Sequence, residues 1–268
     1  MLNVVLVVWR ESLEAMLIIG ILHAWLVRNE AGRRGRNALW LGVAAGVLLA
    51  VALGWGMLKA QSALAGDALE YFQTGVLFVA AALITQMVFW MAKHARNMRR
   101  QLEAELSSAA DAGNWFGVAA IAALTVAREG AETVVFLYGA SFEAGGSSLG
   151  AAAALGVVLA AATSWLAARG LRLANTARLL RISSFLLLVF ASALLVSGID
   201  RLIGNGHLPP LVEPLWNSSA LLDDASGAGN LVAQLAGYRA QPSLMLLIVW
   251  AAYWLIALVS LRRARSAR

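Results

Sequence analysis

Two five-residue stretches hold the chemistry of this 268-residue chain, Arg10-Glu11-Ser12-Leu13-Glu14 and Arg128-Glu129-Gly130-Ala131-Glu132. On a helix, side chains three and four residues apart share a face, so each stretch presents one guanidinium and two carboxylates as a one-sided acidic stripe. Pairing Arg10 with Glu14 and Arg128 with Glu132 would glue two helices together and leave Glu11 and Glu129 over. Four glutamates against two arginines give a formal charge of −2, and a buried negative excess needs a cation or protons. The chain has no cysteine, and no histidine lies within a turn of either motif. An all-oxygen site of this kind suits hard cations rather than soft ones. His23 follows Glu14 by nine residues, about 13 Å along a helix, and reads as a hydrogen-bonded helix residue or gate element rather than a ligand.

The segments that must position these motifs are strongly apolar. Hydrophobic residues make up 60% of the chain and charged ones 13%, with a mean hydropathy of +0.73, against about 45–50% and 25% in soluble domains. So few ionic residues cannot cover a soluble surface, so the bilayer must be the missing solvent. Stretches 38–58, 71–92, 144–168, 182–203 and 240–261 are long enough, as helices, for about 30 Å of hydrocarbon. Two more, 3–27 and 114–140, have the same length and hold the motifs at mid-depth. Each charge facing lipid there would cost about 2.5–3.5 kcal/mol, so the motifs must turn inward. The absence of a basic n-region and the charges at Arg10, Glu11 and Glu14 distinguish the first stretch from a signal peptide.

The net charge of +6 is placed rather than spread. Basic residues gather at Arg28 to Arg36, Lys93 to Arg100, Arg169 to Arg181 and Arg262 to Arg268, and with seven spans all four clusters fall on one side. The positive-inside rule then puts the N-terminus outside and the C-terminus in the cytoplasm. Juxtamembrane bias accounts for every cluster, so no nucleic-acid partner is expected.

The halves repeat. The two motifs stand 118 residues apart, and Gly46 to Trp55 matches Gly156 to Trp165 in six of ten positions. Because each unit has three spans, the second enters from the opposite side. The expected fold is an all-α integral membrane protein of seven transmembrane helices, two inverted three-helix repeats plus a C-terminal helix. Its parts are a first repeat at 1–93, a cytoplasmic linker helix at 94–113, a second repeat at 114–203, an outer loop at 204–241, and a seventh span with a basic tail at 242–268. Apolar pieces at 211–222 and 231–235 predict short helices within the loop. The outer side is acidic, with Asp67, Glu70, Glu143, Asp200, Glu213, Asp223 and Asp224 against Lys59, Arg201 and Arg239.

Paired Arg-Glu-x-x-Glu motifs in the first and fourth of seven helices resemble the oxidase-dependent iron permease family. The outer stretch from Leu215-Trp216 through Asp223-Asp224-Ala225-Ser226-Gly227 to Gly237-Tyr238 resembles the family pattern as well. The resemblance covers essentially the whole chain. It implies iron uptake, as iron(III), across a bacterial inner membrane, fed by an external oxidase or by periplasmic iron-binding or cupredoxin-type proteins. It also implies that Glu11, Glu14, Glu129 and Glu132 handle the metal, with Arg10 and Arg128 as charge partners. Iron is then a transported substrate, and no tightly bound cofactor is expected. Gly130 keeps the small third residue of the motif, where Ser12 departs from it. Asp223 and Asp224 are candidates for an outer cation relay, Asp224 alternatively capping a short helix. A carrier for another cation, such as lead or manganese, is an alternative, because carboxylate sites discriminate by geometry. A membrane-embedded carboxylate enzyme is disfavoured by the absence of His-Glu-x-x-His and Gly-x-Ser-x-Gly sequences.

Overall fold

The computed structural model describes residues 2–29, 32–94, 102, 104, 106–108, 114–144, 149–169 and 176–266. Its helices are α1 (Leu2–Arg28), α2 (Gly32–Ala63), α3 (Asp67–His94), α4 (Trp115–Ala144), α5 (Leu149–Ala168), α6 (Thr176–Gly204), α7 (Gly227–Ala236) and α8 (Leu244–Ser266). No strand occurs among the described residues. Five helices, α2, α3, α5, α6 and α8, contain a stretch long and apolar enough to cross a membrane. Helices α1 and α4, of 27 and 30 residues, have the length, and the motif charges set them apart.

Local chemistry fixes the helix ends. Asn114 caps α4, its Oδ1 accepting from Gly117 N–H at 3.0 Å. Asn29 closes α1 by donating from Nδ2 to the Trp25 carbonyl at 2.9 Å, beside the dipole-compatible Arg28. Helix α8 starts at Leu244 rather than at 240, because Ser243 Oγ caps it through Leu246 N–H at 3.3 Å. Residues Ala240 and Pro242 instead give their carbonyls to Ser218 and Leu215. Helix α4 runs on through Ala144, so the span expected at 144–168 is helical from Leu149, with 145–148 outside the described residues. Of the linker expected at 94–113, Leu102, Ala104 and 106–108 are helical. His94 ends α3, and the remainder, including Arg96, Arg99 and Arg100, lies outside the described residues, as does Arg172.

The chain forms two compact units, one of α1, α2, α4 and α5 and the other of α3, α6, α7 and α8. Each draws elements from both halves of the sequence. In the first unit two helix seams repeat at atomic detail. A Cβ at Gly46 would stand 2.7 Å from Ala123 O, 2.7 Å from Val126 Cβ and 3.0 Å from Ala127 N. A Cβ at Gly156 would meet Val5 O at 3.0 Å, Val8 Cβ at 2.8 Å and Trp9 N at 3.0 Å. Those partners stand 118 residues apart, the same interval as the motifs. The first helix of each half therefore packs on the second helix of the other half, through a glycine that admits backbone to backbone.

The α2–α4 seam extends in steps of four, through Gly42 against Ala119 and Ala122, Ala50 against Gly130, and Gly54 against Val134. Rising numbers on both helices make the two run in parallel. On the α1–α5 seam, Trp9 Nε1 donates to Thr163 Oγ1 at 3.2 Å and Ser164 Oγ to Met16 Sδ at 3.7 Å. One apolar cluster joins Ile18, Leu22 and Leu26 to Ala38, Leu39, Leu106, Val118 and Ala122. The end of α1 thus meets the start of α4, and these two helices cross in opposite directions, as an inverted repeat requires.

In the second unit, Arg201 Nη1 donates to Gln73 Oε1 at 2.9 Å, Asn205 Nδ2 to Glu70 Oε2 at 2.6 Å, and Tyr71 bonds to His207. Tyr253 bridges Thr85 Oγ1 at 3.1 Å and the Leu188 carbonyl at 3.2 Å. The 204–241 stretch, expected as an outer loop, holds one helix, α7, which contains the 231–235 piece. Residues 211–222 are turns and bends instead of a helix. Pro209, Pro210 and Pro214 remove donors there, and the neighbouring main chain bonds outward, Leu244 N to Val212 O at 2.9 Å and Met245 N to Pro210 O at 3.2 Å.

Candidate metal centre

The antiparallel crossing of α1 and α4 brings both motifs together inside the first unit. One carboxylate oxygen each from Glu11, Glu14 and Glu129 lies within 4.8 Å of the other two. Three oxygens spaced evenly around an ion bonded at about 2.1 Å stand about 3.6 Å apart, so closing on a cation draws the carboxylates in by up to about 1 Å. The fourth glutamate, Glu132, is also buried, and Arg128 Nε donates to its Oε1 at 3.2 Å.

The arginines are placed differently. Arg10 is 1% exposed and straddles two carboxylates, Nη1 to Glu11 Oε1 at 3.4 Å and Nη2 to Glu14 Oε1 at 3.1 Å. The expected Arg10–Glu14 and Arg128–Glu132 pairs both form, and Glu11 gains an arginine contact that the spacing did not indicate. Adjacent helix positions diverge, and only the length of a guanidinium arm lets Arg10 reach its own neighbour. The Arg128 side chain is 45% exposed.

Buried carboxylate oxygens ordinarily have hydrogen-bond partners. Here Glu11 Oε2, Glu14 Oε1, Glu129 Oε2 and Glu132 Oε2 are buried without one. The ionic contact at Glu14 Oε1 is too poorly aligned to count. Four under-satisfied acceptors in one apolar crossing form a donor set with open coordination capacity, and the donors are all oxygen.

The remaining sequence candidates lie elsewhere. His23 lies on α1 with its ring tilted against Trp40, ring centroids 6.4 Å apart. Asp223 is committed to its own loop: Oδ1 accepts from Ala225 N–H at 3.0 Å and Oδ2 from Ser226 Oγ at 3.0 Å. Asp224 does not cap α7. Ser226 occupies that position, without a side-chain cap bond, while the Asp224 carbonyl accepts from Asn230 at 3.3 Å. A polar pair that the sequence did not single out is Tyr138 donating to Gln61 Oε1 at 2.6 Å, between α4 and α2. No spacing rule marks two residues so far apart, although Tyr138 was visible as a polar group inside a span.

A sequence model of the iron permease FTR1 family matches residues 1–263. The ferrous iron permease EfeU of Escherichia coli O6:H1 is 33% identical over 264 residues, covering 95% of this chain and 93% of its own. That of Escherichia coli O157:H7 has the same identity and coverage. The ferrous iron permease EfeU of Yersinia pestis is 27% identical over 256 residues, covering 95% and 90%. No solved structure matches the chain.

Proposed function

The chain belongs to the iron permease FTR1 family, an integral membrane transporter rather than an enzyme, and from that premise we propose that it imports iron through the glutamates at the α1–α4 crossing. The observation that carries this reading is the convergence of three buried carboxylates within 4.8 Å, with an under-satisfied oxygen on each glutamate of both motifs. Glu11, Glu14 and Glu129 are assigned as the ligands, and Glu132 as an acid held in reserve by Arg128.

Charge favours one valence. With all four glutamates ionised, the six motif residues sum to −2, which a divalent cation neutralises. Iron(III), the form implied by the family resemblance, would leave one positive charge in a low-dielectric interior and would need a further anion. The relatives are named for ferrous iron. Seven spans, α1 and α4 together with the five more apolar helices, complete the proposal: N-terminus outside, basic clusters in the cytoplasm, bacterial inner membrane. Iron reaches the outer side from a periplasmic partner, and Asp224 serves there by steering, an effect screened over about 8 Å at physiological salt.

Uptake into membrane vesicles tests the function. Ferrous iron kept reduced should enter faster than ferric iron or manganese, and Glu→Gln at position 11, 14 or 129 should reduce uptake to background in protein that still inserts. Normal uptake by all three variants would leave the motifs as helix glue. Sidedness is tested in the cysteine-free chain: an impermeant thiol reagent added outside should label Ser218→Cys and spare Ser266→Cys.

A further inference from the structure

Resting on that reading of the glutamates, we propose that Arg10 is a built-in place-holder cation: its guanidinium occupies the Glu11–Glu14 half of the site, and incoming iron must displace it. The geometry points this way because one fork spans two carboxylates that both belong to the three-oxygen cluster. An arginine whose task was to hold a single ligand rigid would grip one carboxylate with both arms. Arg128 Nε pairs with Glu132, which stands outside that cluster. The two arginines of a repeated motif thus do different work.

The displaced charge has somewhere to go. Glu132 Oε2 is buried without a hydrogen-bond partner, and Arg10 is near enough for its charge to act on Glu132. Iron entering among Glu11, Glu14 and Glu129 would push the guanidinium toward that oxygen, keeping every buried charge opposite an opposite charge. Iron leaving would be driven out by the return of Arg10. Arg10 is then a positioning residue that lowers affinity and raises turnover. A carrier needs this trade, since an ion must bind well enough to enter and weakly enough to leave.

The experiment measures ferrous iron binding to the purified full-length protein under anaerobic conditions, alongside uptake by proteoliposomes. Arg10→Gln should bind iron tighter by about tenfold or more, the competition of a charge-assisted hydrogen bond having been removed. Its maximal uptake rate should fall in the same preparation, so apparent KM and kcat drop together. Arg10→Lys retains the charge but spans only one carboxylate, and should lie between the wild type and Arg10→Gln. Arg128→Gln should not tighten binding. Weaker binding in both Arg10 variants would overturn the proposal and make Arg10 a holder of its ligands. If Arg10→Gln does not insert, Arg10→Lys decides alone by the same sign. The underlying reading fails separately, if Glu11→Gln and Glu129→Gln bind iron as the wild type does.

Discussion

The motif on α1 and the motif on α4 have nearly the same sequence and different surroundings. On α1 the arginine is 1% exposed and shared by two glutamates, and the small third residue is Ser12. On α4 the arginine side chain is 45% exposed and donates to Glu132, while the third residue is Gly130, where a Cβ would come within 2.5 Å of Ala50 Cβ. The lesson is that a repeated motif need not make a symmetric site. The backbone seams keep the symmetry, and the long side chains break it.

The largest expected effect tests whether the ligands divide three to one. Glu11→Gln and Glu129→Gln should each abolish uptake, whereas Glu132→Gln should keep iron binding and slow transport. Equal loss of binding in all three would restore a symmetric four-glutamate site. Next come the seams, where Gly46→Val and Gly156→Val should block assembly to a similar degree. Both place side-chain atoms where backbone and a Cβ already stand within 3.0 Å, and folded yield or thermal stability is the measure. A clear difference between them would mean that the seams carry unequal load.

A smaller effect concerns the third motif residue. Gly130→Ser should destabilise by about 1–3 kcal/mol through overpacking and be relieved by Ala50→Gly. Ser12→Gly should cost only about 0.5–1 kcal/mol, the backbone-entropy penalty of glycine in a helix. The smallest is Tyr138→Phe, which loses the bond to Gln61 and about 1 kcal/mol. In the repeat the counterpart of Tyr138 is Gly20, so no equivalent bond exists on the other side.

Much of this was legible in the residues. Apolar length and charge placement announced an all-helical membrane protein, and the 118-residue interval announced the repeat before any contact was known. Glu11, Glu14 and Glu129, whose carboxylates lie together in the fold, stood out as candidates because carboxylates inside apolar helices have few explanations. What escaped was set by reach and by partners distant in the chain. The Arg10–Glu11 contact contradicts the rule for adjacent helix positions, the Tyr138–Gln61 pair follows no local pattern, and the 211–222 stretch has the apolarity of a helix but too few free donors between prolines to form one. The end of α4 was expected at 140 and lies at Ala144, because the polar turn Ser141-Phe142-Glu143-Ala144 continues the helix beyond the apolar stretch.

The reciprocal seams also order the birth of the protein. Helix α1 leaves the ribosome long before α5, yet the surface that receives Val5, Val8 and Trp9 is centred on Gly156 of α5, well over a hundred residues later. Helix α2 likewise waits for α4. During synthesis the first motif must therefore stay in the bilayer without its final neighbours, and Arg10, reaching Glu11 and Glu14 on its own helix, lets the segment arrive with a single negative charge in excess. The second motif meets a partner that is waiting, so Glu129 comes to rest against the carboxylates already held on α1. Interruption of translation before α5 should leave a first half that inserts but cannot close, a substrate for membrane quality control rather than a half-carrier.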